Sequence, residues 1–171
     1  MEVNMSILQK RIIYITQGAM IAALYVVLTC FINAFGLASN AIQVRISEAM
    51  TILPAFTPAA IPGLFVGCII SNIATGCIPP DVILGSIATL LGAIGTYLLR
   101  KKHRFLASVP PIVANTLIVP ITLKYFYHAE GTIPFFMATI CIGEVISCGI
   151  LGQLLYAAII PAKKIFNPES M

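Results

Sequence analysis

The sequence predicts an all-α integral membrane protein, a six-transmembrane-helix bundle, and three observations carry that expectation. Of its 171 residues 59% are hydrophobic and only 9% charged, and the mean hydropathy of +0.99 lies far outside the soluble range. Charge-free runs cover 12–44, 49–80, 82–99 and 105–123, and a further apolar stretch over 131–162 is interrupted only by Glu144. A spanning helix needs about 20 apolar residues, and turn residues divide the two longest runs into more than one element. Finally, Lys10-Arg11, the cluster Arg100–Arg104 and Lys163-Lys164 fall on one side of the membrane if there are six spans, so the positive-inside rule puts both termini in the cytoplasm.

Helices are expected near 12–32, 42–54, 58–75, 82–100, 105–123 and 133–160, forming one membrane domain over 1–171. The first follows Lys10-Arg11 and reads as a membrane helix, not a secretory signal, because no soluble domain comes after it. It carries Gly18, Ala19, Ala22 and Ala23, two overlapping small-x-x-x-small pairs that let another helix approach closely in lipid. Ordinary intramolecular packing and a docking face for a separate membrane partner are both open for that stripe. The stretch 33–43, NAFGLASNAIQ, is long for a membrane-protein turn and suits a loop folding over a pocket mouth.

The second and third helices form a tight hairpin. Arg45 and Glu48 stand three residues apart in an otherwise apolar segment, where they share one helical face and can pair or converge on a guest. Ionisable residues at membrane depth default to function, the alternative being an ion pair that only holds the fold. Pro54 ends the helix, Thr57 can cap the next, and Pro58 stands where a first-turn proline is tolerated. The turn 76–81, GCIPPD, leads into the fourth helix with Gly85, Ala88, Gly92 and Gly95 at helical spacing, and Asp81 can cap its start. The basic RKKHR follows, then a fifth helix with Pro110, Pro111 and Asn115, an aromatic loop over 124–131, and a sixth helix holding Glu144.

At 1.5 Å per residue, Arg45 and Glu48 stand roughly 14 and 9 Å above the Pro54 turn, Asn115 about 15 Å above Phe105, Asn72 about 21 Å above Pro58, and Glu144 about 16 Å below the outer surface. Four helices thus place their strongly polar side chains between the midplane and the outer face, the pattern of a small-molecule pocket. For Asn72 and Asn115 an interhelical hydrogen bond is as open as a ligand contact. The candidate binding set is Glu144, Glu48, Arg45, Asn72, Asn115 and Asp81.

Other chemistries are excluded. No phosphate-binding loop, zinc-protease or nucleophile-elbow motif is present, so the chain is not an ATPase or hydrolase by itself. Cys30, Cys68, Cys77, Cys141 and Cys148 have no C-x-x-C spacing and read as small packing residues, with no metal site and no cofactor expected. The net charge of +4 is not a nucleic-acid signal, because the basic residues sit at helix ends.

The segment VRISEAMTILPAFTPAAIPGLFVGCIISNI, then PPDVILGSIATLLGAIGTYLLRKK, PPIVANTLIV and the glutamate in IGEVISCGILG resemble the queuosine-precursor transporter family (QueT type) over nearly the whole chain. That resemblance implies the six-helix substrate-binding S component of an energy-coupling-factor (ECF) ABC importer in the cell membrane. Such a component binds a micronutrient from outside, and its partners are a transmembrane coupling subunit and two cytoplasmic ATPase subunits. The resemblance also makes Ala19 and Ala23 the docking surface, with Gly18 and Ala22 adjacent. Queuosine precursors are 7-deazaguanines, whose guanine edge presents adjacent N–H donors. Glu144 and Glu48 are suitable acceptors, Arg45 can hold Glu48 or donate to the ring carbonyl, and stacking would come from Phe31, Phe35, Tyr125 or Phe126. A corrinoid such as cobalamin is the alternative ligand; a stand-alone secondary carrier would show internal repeats, and none is found.

Overall fold

The computed structural model describes residues 7–35 and 45–162, and every regular element in them is helical. The loop expected over 33–43 lies largely outside the described residues, as do Lys163 and Lys164. Helix α1 spans Ile7–Ala34, a 3₁₀ segment Ile46–Ala55, α2 Ala60–Ala74 and α3 Pro79–Leu99. A short 3₁₀ turn, Arg104–Ser108, leads into α4, Val109–Tyr125; α5 is Ile133–Glu144, and a π-helical stretch, Val145–Leu151, joins it to α6, Gly152–Ile159.

Prolines set three of these starts. Pro79-Pro80, Pro110-Pro111 and Pro134 stand in the first turns of α3, α4 and α5, where the missing amide costs no intrahelical bond. Ile78, just before Pro79, is extended, as steric contact with the ring requires, and Thr132, the N-cap of α5, is extended as well.

Among the described residues four elements are long and apolar enough to cross a bilayer: Ile7–Ala34, Pro79–Leu99, Arg104–Tyr125 and Ile133–Ile159. The hairpin expected to supply two more spans falls short. Its second arm, α2, has 15 residues, about 22 Å of helix. Its first arm is not α-helical: Ile46–Ala55 is a ten-residue 3₁₀ segment, about 20 Å long. Both are shorter than a hydrocarbon core of about 30 Å. Ser47 through Pro54 are all buried, so this arm is packed on every side by the longer helices.

The bundle is apolar outside and small or polar inside. On α3, Ile83, Ile87, Leu91, Ile94 and Leu98 are exposed, while Asp81, Gly85, Ser86, Thr89, Gly92 and Thr96 are buried. Glycines set two close approaches. A Cβ on Gly63 of α2 would lie 2.6 Å from the Gly18 carbonyl of α1, and one on Gly92 of α3 would lie 2.7 Å from Pro111 Cα of α4. Thr96 Oγ1 adds a 2.7 Å hydrogen bond to the Ala107 carbonyl. Ile21, Tyr25, Met50, Leu53, Leu64 and Cys68 form the main apolar cluster around the 3₁₀ segment.

Candidate functional site

Between the C-terminal half of α1, the start of the 3₁₀ segment, the α2–α3 turn and the end of α4 lies a cavity of about 350 Å³. Arg45, Asn72 and Asp81, three of the six expected binding residues, line it. Arg45 stands just before the 3₁₀ segment with extended backbone, so it and Glu48 do not share one regular helix, and its side chain lines the cavity. Asn72 of α2 is buried, and Gly85 of α3 leaves it room, since a Cβ there would come within 3.3 Å of Asn72 Nδ2. Asp81, in the first turn of α3, accepts a 2.9 Å hydrogen bond from the Tyr127 hydroxyl on Oδ2, and no side-chain cap of the helix is formed.

The other three expected residues, Glu48, Asn115 and Glu144, do not line that cavity but meet one another behind it. Asn115 Nδ2 of α4 donates to Glu144 Oε1 at 3.1 Å and, at the long limit of 3.5 Å, to Glu48 Oε2. The Tyr25 hydroxyl of α1 donates to Glu48 Oε1, and the Cys148 thiol donates to Glu144 Oε2 at 3.1 Å. Glu48, Asn115 and Glu144 are 1%, 4% and 6% exposed, so these donors replace the water the carboxylates have lost. The π-helical turn after Glu144 widens the helix where Cys148 reaches back, a local feature frequent at functional sites. Glu48, Glu144 and Cys148 bring one ligating atom each within 4.8 Å of one another, but all three are already engaged in the hydrogen bonds just described.

Sequence reasoning missed Tyr25, Thr29, Cys148 and Tyr127. Tyr25 and Thr29 continue the Gly18–Ala22 face of α1 at helical spacing, a signal that was available. Thr29 Oγ1 donates to Ser47 Oγ at 2.9 Å, tying α1 to the 3₁₀ segment beside the cavity. The aromatic residues expected to stack on a ligand are placed otherwise. Phe31 and Phe35 are exposed and pack on each other, Tyr125 and Phe126 are exposed, and the cavity wall is the neighbouring Tyr127. Partial burial, then the Asp81 carboxylate, holds the Tyr127 phenol above the usual tyrosine range, so it stays a donor.

The small-residue stripe on α1 is divided. Gly18 and Ala22 are drawn into packing against Gly63 and Gly67 of α2, so they belong to the fold, while Ala19 and Ala23 remain exposed.

The cavity lies at the Asp81 end of α3, and the basic cluster begins at Arg100 at the other end, about 28 Å away. The model of the QueT transporter family matches residues 15–161. The chain belongs to the QueT transporter family. No curated protein and no solved structure matches it. Membership makes this QueT-family chain a multi-pass membrane transport protein for a small molecule, and both the cavity and the buried polar network lie inside the matched residues.

Proposed function

We propose that the chain is the substrate-binding S component of an ECF-type ABC importer and captures a queuosine precursor of the 7-deazaguanine class from outside the cell. The observation that carries this reading is a cavity with one cationic and one anionic side chain, Arg45 and Asp81, beside the Asn72 amide. A guanine edge offers that set its complement: adjacent N–H donors for the Asp81 carboxylate and a ring carbonyl for the Arg45 guanidinium. Glu48, Asn115 and Glu144 then act from behind as the polar floor that fixes the 3₁₀ segment, and with it Arg45, against α4 and α5. A volume near 350 Å³ lies at the small end of ligand pockets, roughly 300–1,000 Å³, and favours a bicyclic base over a corrinoid.

Both termini and the Arg100–Arg104 cluster face the cytoplasm in this reading, so the cavity, at the opposite end of α3, faces outward. A transmembrane coupling subunit docks on the exposed Ala19 and Ala23, and two ATPase subunits supply the energy that this chain has no motif to supply. The cell membrane is the implied location. Calorimetry on the purified subunit tests the ligand, titrating queuine, its aminomethyl-deazaguanine precursor and cobalamin. Saturable binding of a deazaguanine that is lost in Arg45→Gln is expected, and binding of cobalamin alone would overturn the assignment.

A further inference from the structure

Tyr127 lies in the connection between α4 and α5, yet it is tied into the cavity. Its backbone N–H bonds the Thr122 carbonyl at 3.1 Å, and Ala129 N–H bonds the Leu123 carbonyl at 3.0 Å, with His128 between them in the left-handed region at φ 51°. Lys124 Nζ reaches the Gly131 carbonyl at 3.0 Å, so the connection is held at both ends. From that platform the Tyr127 hydroxyl donates to Asp81 Oδ2 at 2.9 Å and accepts the Ile78 N–H at 3.4 Å, joining the α4 end to the α2–α3 turn. Among the described residues it supplies the one aromatic ring that lines the cavity.

We propose that Tyr127 is a recognition residue of this cavity: its ring is the face on which a planar ligand stacks, and its hydroxyl holds the Asp81 carboxylate in the orientation that meets the ligand's N–H edge. The inference rests on the deazaguanine reading given above. A carboxylate has about four lone-pair sites, so a hydroxyl on Oδ2 leaves Oδ1 and the remaining sites for the ligand. Every base presents a π-face, and aromatic stacking therefore selects planarity while the polar groups select the edge. One side chain thus couples the two requirements.

The test is a set of affinities for queuine and aminomethyl-deazaguanine on wild type, Tyr127→Phe, Tyr127→Leu and Arg45→Gln. Loss of the ring in Tyr127→Leu should weaken binding roughly ten- to a hundredfold. Tyr127→Phe keeps the ring and loses only the hydrogen bonds, so it should recover most of that loss and stay within roughly two- to tenfold of wild type. The chain has six tyrosines and no tryptophan, which gives a second readout: tyrosine emission. Ligand should quench wild type more than it quenches Tyr127→Phe at saturation, a difference that a merely structural tyrosine would not produce and that survives if Tyr127→Leu fails to fold. Equal quenching in the two proteins, or Tyr127→Leu binding like wild type while Arg45→Gln does not bind, overturns the role of Tyr127 and leaves the deazaguanine reading standing. Wild type binding neither deazaguanine removes that reading and this inference together.

Discussion

Replacing Asn115 by leucine keeps the branched shape of the side chain and deletes the amide through which α4 touches both buried glutamates. Of its two hydrogen bonds, the one to Glu144 at 3.1 Å is well formed and the one to Glu48 at 3.5 Å is at the limit of the interaction. In water-soluble proteins a bond to a charged group contributes about 1.5–3 kcal/mol, whereas interhelical bonds in a membrane protein average about 0.6 and reach about 1.7 kcal/mol. Asn115 is 4% exposed and its partners have no water to turn to, which argues for the upper membrane value on the shorter bond and a fraction of it on the longer. Asn115→Leu should therefore destabilise the empty protein by about 2 kcal/mol, roughly a thirtyfold change in its unfolding equilibrium. The assay is unfolding in detergent micelles of Asn115→Leu, Glu144→Leu and the double variant. Because the two residues share a bond, the double variant should lose about 1 kcal/mol less than the sum of the singles. Additive losses would show that the amide does not bridge to Glu144, and the polar floor described here would be wrong.

Gly63→Val drives side-chain atoms into the Gly18 carbonyl, 2.6 Å from where the first carbon would sit, and should cost about 1–3 kcal/mol in the same unfolding assay; wild-type stability would show that α1 and α2 are not in close contact. Ala23→Leu, on the exposed side of α1, should leave stability and ligand affinity unchanged but block uptake when coupling and ATPase subunits are present. Loss of affinity in detergent would instead make Ala23 part of the internal packing. A cysteine at position 102 on a cysteine-free background should be protected from impermeant reagents in intact cells while one beside Asp81 is labelled, and the reverse pattern would invert the topology. In an alkaline absorbance titration Tyr127, read as the difference between wild type and Tyr127→Phe, should resist ionisation around pH 10, where free tyrosine titrates, and Asp81→Asn should lower that point; an unchanged difference would remove the Tyr127–Asp81 contact.

The sequence alone determined the membrane class, because hydropathy over 20 residues is a property of a segment and needs no neighbours. It also singled out the polar side chains that the structure gathers at the cavity and in the buried network, since so few polar side chains occur at membrane depth, whereas it started two helices at 82 and 105 and the structure starts them at Pro79 and Val109. Helical periodicity was enough to mark the small-residue stripe of α1. It could not say that Gly18 and Ala22 serve α2 while Ala19 and Ala23 stay exposed, for a period describes the faces of one helix and not the element each face meets. The 3₁₀ form of Ile46–Ala55 was equally hidden, as the segment has an ordinary helical composition and its tighter winding accompanies burial on every side. The six polar candidates then divided into a cavity wall and a buried floor because partners far apart in the chain decide where each side chain ends: Tyr127 comes to Asp81 across 46 positions, and Asn115 to Glu48 across 67. Such pairs form only when whole helices dock, and only the tertiary structure holds that information.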